Sequence, residues 1–325
     1  MKNEKRKKIS MRSGDITLEE AFLEFISEKK AENMRDMTIV YYYNNWQFFK
    51  QFLDIKGIQD FESITPTLIN EYINYHRERN PEIKDTSINT YITAVKVILY
   101  YFMEKEYLYH FKIKKIKAKK EVKEPYTDDE LIKLLTKPDI KTCSFAEYRN
   151  WVLACHLSAT GIRLNTLINI KIRDIDFNYN IILLRELKNN KPYEVPIDKD
   201  YLPILKEYLK IRNGEPEDYL FCNHYGKQFT PDGLKTVVRK YNLSRGVEKT
   251  SIHLYRHTFA KAWILTNGNS KKLQNALGHS TPAMVDEYLS IYGREFEADY
   301  EKHTPFSKIK DEIKPKKRIR IRTKD

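Results

Sequence analysis

Glycine is scarce in this chain of 325 residues, with 10 in all, and cysteine is scarcer, with three. No glycine-rich Walker loop can be read, and neither an H-E-x-x-H pair nor a carboxylate cluster is present. Cys143, Cys155 and Cys222 are odd in number, far apart and form no C-x-x-C. That leaves neither a disulfide framework nor a zinc ribbon and suits a reducing interior. Long apolar runs are missing as well: the richest stretch, Tyr91 to Met103, is broken by Lys96 and falls short of the ~20 residues a membrane helix needs. The basic start, Lys2 to Arg12, leads into SGDITLEEAF rather than an apolar h-region, so no secretion signal is read and a soluble, cytoplasmic protein without a membrane partner is expected. There is no internal repeat and no low-complexity tract beyond basic runs.

What is present is positive charge with aromatic residues. Lys+Arg number 58 against 45 Asp+Glu, a formal charge of +13, alongside 23 Tyr and 15 Phe, which makes a polyanion the leading partner class. Hydrophobic residues at 41% are too many for a disordered chain, and the length suits two domains. Charge gathers in Lys2 to Arg12, in KIKKIKAKKEVK from Lys112 to Lys123, and in the tail from Lys314. We read residues 1–14 as a basic arm, 15–110 as a helical domain, 111–124 as a basic linker, 125–309 as a second domain and 310–325 as a basic tail.

Periodicity assigns the elements. Thr17 to Glu20 is a capping box ahead of Leu18, Ala21, Phe22, Phe25 and Ile26 at helical spacing, and further helices read from Thr38 to about Ile55, from Thr65-Pro66 to about Arg77 and from about Asp85 to Tyr107. After the linker, Thr127 to Glu130 is a second capping box, and a helix around Ala146 to Ala159 stops at Thr160-Gly161. From Ile175 to Ile197 three β-rich runs are split by Asn-Tyr-Asn and Lys-Asn-Asn-Lys, an antiparallel meander. Helices resume around Tyr201, after Thr230-Pro231, near His253, after Ser270 and after Thr281-Pro282, with helix-like residues to about Ile309. The expected fold class is mainly α with a small antiparallel β-sheet.

Four separated pieces carry chemistry: Ala159-Thr-Gly-Ile-Arg163, the meander turn with Lys188, His253-Leu-Tyr-Arg256-His257, and Leu277-Gly-His279 followed nine residues later by Tyr288. Displacement at a phosphodiester concentrates negative charge on the non-bridging oxygens, to which guanidiniums present planar forks of donors. Spacing i,i+3 sets His253 and Arg256 on one helix face. Tyr288, two turns into a helix opened by Thr281 and Pro282, offers a phenol whose ordinary pKa of ~10 requires cationic neighbours or a base before it attacks at neutral pH. Taken singly each has a plainer role: Arg163 as a cap, Lys188 as a solvated turn residue beside Lys191, and Tyr292 as a rival nucleophile on the face of Tyr288. His253 and His257 lack an acidic third ligand nearby, which argues against zinc. His76, His110, His156, His224 and His303 read as structural or surface residues.

In combination and order these motifs resemble the tyrosine recombinases, the family of phage and mobile-element integrases and Xer-like chromosome-dimer resolvases. Thr160-Gly-Ile-Arg163 matches the first arginine motif, Lys188 the hairpin lysine, His253-Leu-Tyr-Arg256 the H-x-x-R box, Leu277-Gly-His279-Ser the next histidine motif, and Tyr288 the nucleophile. The resemblance implies a C-shaped clamp on duplex DNA, a 3′-phosphotyrosyl intermediate, protonation of the leaving 5′ oxygen by Lys188, proton transfer assisted by His253, a phosphate contact from His279, and strand exchange through a Holliday junction. It implies no metal and no cofactor, inverted-repeat core sites, a synaptic tetramer, and accessory DNA-bending or directionality factors. A first domain beginning near residue 15 leaves no room for an arm-binding domain. Lys112, Lys114, Lys115, Lys117, Lys119 and Lys120 are the candidate phosphate contacts of the linker; Lys84, Asn89, Thr90 and Lys96 are groove-facing candidates. One departure is Thr166, three residues after Arg163, where the family commonly has an acid. Two other readings share these residues: a catalytically silent DNA-binding relative, and a type IB topoisomerase-like relaxing enzyme.

Overall fold

Thr17 opens α1 (Leu18–Ala31) with a reciprocal cap: its hydroxyl accepts the Glu20 amide at 3.2 Å, and the Glu20 carboxylate accepts the Thr17 amide at 2.8 Å. The computed structural model describes residues 16–118, 124–184, 193–266, 268–278 and 281–292, without the side chains of 291 and 292. The basic arm, the tail and the segment approaching Ile309 lie outside the described residues. The chain divides into two compact units, Met1–Val122 and Lys123–Asp325.

In the first unit α1 is followed by α2 (Asp36–Ile55), α3 (Pro66–Arg79) and α4 (Asp85–Glu104). Thr65 caps α3 and Pro66 takes its first position, where the missing amide hydrogen costs nothing. The core is aromatic. Phe22 stacks on Trp46 with centroids 4.8 Å apart, Trp46 meets Phe102 edge-on, and Phe49 and Phe52 flank Tyr72. Burying each such phenylalanine contributes about 1.5–3 kcal/mol. These rings fill the core of the first unit.

The second unit begins with the other capping box, at Thr127, and α5 (Asp128–Leu135). Helix α6 (Phe145–Thr160) is buried on nearly every face and packs against α5, α8 (Leu202–Arg212), α9 (Pro231–Ser244) and α10 (Ile252–Leu265). Between α6 and α8 lie the one-turn α7 (Leu164–Leu167), a 3₁₀ turn at Ile172–Asp174, and three antiparallel strands in order β1 (Ile175–Asp176), β2 (Ile181–Leu184) and β3 (Tyr193–Pro196). Ile175 pairs with Ile182, and Leu184 with Tyr193, so Ile182, Leu184 and Val195 share the buried face. Helices α11 (Ser270–Ala276) and α12 (Ala283–Tyr292) close the unit against α10. The fold is thus mainly helical with one small antiparallel sheet. Among the described residues no helix is long and apolar enough to cross a membrane.

His156, fully buried on α6, shares a 2.9 Å hydrogen bond with the Tyr201 hydroxyl, and burial pulls its pKa down to about 3. It folds neutral. Because the folded pKa lies below the ordinary value, its contribution is complete above about pH 6.5 and is lost as pH falls from there towards the folded value. Urea unfolding of the full chain should show wild-type stability falling by about 1.4 kcal/mol per pH unit below pH 6.5 more steeply than in His156→Gln, which has no proton to take up.

Candidate active site

Helix α6 stops at Gly161, whose φ of +58° places it in the left-handed region. A Cβ there would stand 2.8 Å from Phe259 Cδ1 and 3.0 Å from Leu277 Cδ2, so glycine is required by conformation and by space alike. The tight stop turns the chain so that Arg163, in extended conformation, precedes α7. Its Nη1 donates to the carbonyls of Leu277 at 2.9 Å and Gly278 at 2.7 Å. Arg256, buried on α10, donates from Nη1 to the Gly161 carbonyl at 3.0 Å and from Nη2 to the Leu277 carbonyl at 2.8 Å. Two guanidiniums that are 93 residues apart in sequence thus meet on one carbonyl, that of Leu277.

Tyr288 comes to the same place from α12. Its side chain is 9% exposed, it is hydrogen-bonded to Arg256, and its ring lies edge-on to His257 with centroids 5.4 Å apart. Burial raises the phenol above its ordinary pKa, and the field and hydrogen bond of Arg256 offset part of that rise, with a smaller contribution from Arg163. Burial, and then the charge of Arg163, pulls Arg256 down to about 10; Arg163 is lowered by burial too. Both groups remain cationic at neutral pH. Two neighbouring cations in a half-dry pocket repel each other, an energy that an incoming anion relieves. A phenol beside paired donor forks is an arrangement that can serve attack at phosphorus.

His253 is exposed one turn before Arg256. Tyr255, between them, is fully buried, and its hydroxyl donates to Asn242 Oδ1 at 3.1 Å, while Asn242 Nδ2 donates to the Tyr126 hydroxyl at 2.8 Å. This buried chain of polar contacts fixes the start of α10 and hence the direction of Arg256. Thr166 lies on α7 and donates its amide to the Arg163 carbonyl. Lys188, His279 and the side chain of Tyr292 lie outside the described residues. Among those described, no group of three His, Cys, Asp or Glu side chains gathers as a metal site. Sequence reasoning missed Tyr193, whose phenol lies in the fields of Arg256 and Arg163, because a tyrosine in a β-rich run reads as packing. It also missed the carbonyls of Gly161, Leu277 and Gly278, which no side-chain motif announces.

In the first unit, Lys112, Lys114, Lys115 and Lys117 are exposed, whereas Ile113 between them is buried and Ile116 half-buried. The segment is an extended strap on α4: the Ile116 amide donates to Asn89 Oδ1 at 2.9 Å, Asn89 Nδ2 donates to the Ile116 carbonyl at 2.9 Å, and the Ile113 amide donates to the Tyr100 hydroxyl at 3.3 Å. Asn89 is therefore an anchor for the strap. Lys96 lies over the Tyr100 ring at 5.0 Å. Lys119 and Lys120 lie outside the described residues.

Residues 110–294 match the Phage integrase family, which is more than half of the chain, and the chain belongs to that family. Tyrosine recombinase XerC of Listeria monocytogenes is 25% identical over 304 residues, covering 89% of this chain and 97% of the relative. XerC of Bacillus licheniformis is 26% identical over 301 residues, covering 87% and 95%. In fold the chain is similar to the Tn1549 transposon integrase in complex with transposon right end DNA, with a TM-score of 0.70 at 18% identity over 89% of this chain and 99% of that one. The XerH site-specific recombinase bound to palindromic difH substrate, in a post-cleavage complex, gives 0.69 at 23% identity over 85% and 83%.

The glycine that ends α6 offers a direct test of this geometry. Gly161→Ala adds overpacking of about 1–3 kcal/mol to a left-handed cost of about 1–2 kcal/mol. Gly246, at φ +70° with nothing within 4 Å of an added Cβ, carries only the conformational cost. Thermal melting should show Gly161→Ala displaced downward further than Gly246→Ala, by the equivalent of about 1–3 kcal/mol; equal shifts would contradict the packing described.

Proposed function

We propose that this protein is a site-specific tyrosine recombinase that cleaves and rejoins duplex DNA through a 3′-phosphotyrosyl intermediate. The observation that carries the reading is the meeting of Arg163, Arg256 and the Tyr288 phenol at the Leu277–Gly278 turn. In the step proposed, the Tyr288 oxygen gives up its proton with help from His253 and forms a bond to the scissile phosphorus. The bond from phosphorus to the 5′ oxygen breaks, and Lys188 protonates the departing oxygen. Arg163 and Arg256 carry the charge that grows on the non-bridging oxygens, and His279 adds a hydrogen bond. The covalent link conserves bond energy, so attack by a 5′-hydroxyl from a second duplex rejoins the strand without a nucleotide cofactor. The guanidiniums fill the charge-stabilising role that a metal would otherwise have, and no metal is required.

Two such rounds pass through a Holliday junction, which calls for a tetramer assembled on paired inverted-repeat core sites. Similarity to XerC, and to solved complexes of an integrase with transposon DNA and of a recombinase with its substrate, supports duplex DNA as the partner. We place the activity in the cytoplasm, integrating or excising a mobile element, with accessory bending or directionality factors. The exposed lysines on the α4 strap supply sequence-independent contacts to phosphates.

A suicide duplex carrying the junction of the element, incubated in chelator and run on a denaturing gel, tests the chemistry. A covalent adduct is expected from wild type and from Tyr292→Phe and none from Tyr288→Phe. Binding of a correct junction without any adduct would favour the silent relative, and efficient relaxation of unrelated plasmids by a monomer the topoisomerase-like enzyme. For the strap, replacing Lys114 and Lys115 together with alanine should flatten the dependence of log binding constant on log salt concentration by about two units. An unchanged slope would remove these lysines from the interface.

A further inference from the structure

Tyr193 begins β3 opposite Leu184 of β2, and β3 packs on α11, the helix that ends at the Leu277–Gly278 turn. Gly278 sits at φ +57°, and a Cβ built on it would stand 3.0 Å from Tyr193 Cε1 and Cζ and 3.2 Å from its hydroxyl oxygen. The ring therefore lies directly on the Gly278 backbone, with no space for a side chain between them. The peptide it covers is the one whose carbonyl takes Arg163 at 2.7 Å, and the preceding carbonyl takes both Arg163 and Arg256.

We propose that Tyr193 is a positioning residue for the cleavage chemistry: its ring clamps the Leu277–Gly278 turn and so sets the carbonyls that hold Arg163 and Arg256 towards the phosphate. This rests on the recombinase reading above. Burial keeps the phenol protonated despite the two nearby cations, so it adds no anion to compete with the substrate for them. Tying β3 to the turn also ties the sheet to the arginine pair. A shift of about 1 Å in a charge-stabilising group is enough to cost on the order of 100-fold in rate.

The experiment measures single-turnover adduct formation by the full chain on two suicide duplexes. One has a phosphodiester at the scissile position, and the other has a methylphosphonate, in which a methyl group replaces one charged non-bridging oxygen. In both, the Tyr288 oxygen forms the bond to phosphorus and the bond to the 5′ oxygen breaks, but the neutral phosphonate develops less charge for the guanidiniums to carry. Tyr193→Ala should be slower than wild type by about 10- to 100-fold on the phosphodiester, and by no more than about threefold on the methylphosphonate. Tyr193→Phe, which keeps the ring, should recover most of the phosphodiester rate. The inference is overturned if Tyr193→Ala matches wild type on the phosphodiester, if its deficit is equal on both substrates, as general damage to the fold would produce, or if Tyr193→Phe is as slow as Tyr193→Ala. Wild type that binds but forms no adduct on either duplex overturns the recombinase reading itself and the inference with it.

Discussion

Two positive charges held side by side away from bulk water organise the second unit. Arg163 and Arg256 repel each other, and burial disfavours the charge on both, yet neither is released to solvent because three backbone carbonyls, from Gly161, Leu277 and Gly278, take their donors. Each charge-assisted bond of this kind is worth about 1.5–3 kcal/mol. Carbonyl dipoles orient a guanidinium without cancelling its charge as a carboxylate would. The pocket therefore keeps its attraction for an anion, and the protein bears in advance the cost of placing the donors.

The surrounding fold serves that constraint. Gly161 ends α6 sharply enough for its own carbonyl to reach Arg256. The Tyr126–Asn242–Tyr255 network fixes the first turn of α10, from which Arg256 projects inwards while His253 faces out. Gly278 lets the chain leave α11 in a left-handed turn, leaving its backbone open to Tyr193 and its carbonyl open to Arg163. Tyr288 is buried, and its proton is held more tightly than in a free phenol; in the reaction we propose, an arriving substrate changes that environment before attack.

Much of this was legible in the sequence because side-chain chemistry and short-range rules carry it. The capping boxes at Thr17 and Thr127, Pro66 at a helix start, the stop at Gly161 and the alternation of the meander are local signals that the structure repeats. Arg163, Arg256 and Tyr288 stood out by residue type and spacing, and they converge in space. What was not legible depends on contacts between distant parts of the chain. Tyr193 looks like an ordinary strand residue until Gly278 is seen beneath it. Asn89 does not read as an anchor until the 112–118 segment is seen strapped to it.

The proposed reaction stands on one covalent bond. Digestion of the wild-type adduct with protease, followed by mass spectrometry of the nucleotide-bearing peptide, identifies both the residue and the linkage. A single modified peptide from α12 is expected, with the 3′-phosphate of the cleaved strand on the oxygen of Tyr288. Attachment at Tyr292, at Tyr193 or at any non-tyrosine residue, or attachment through a 5′-phosphate, would contradict it.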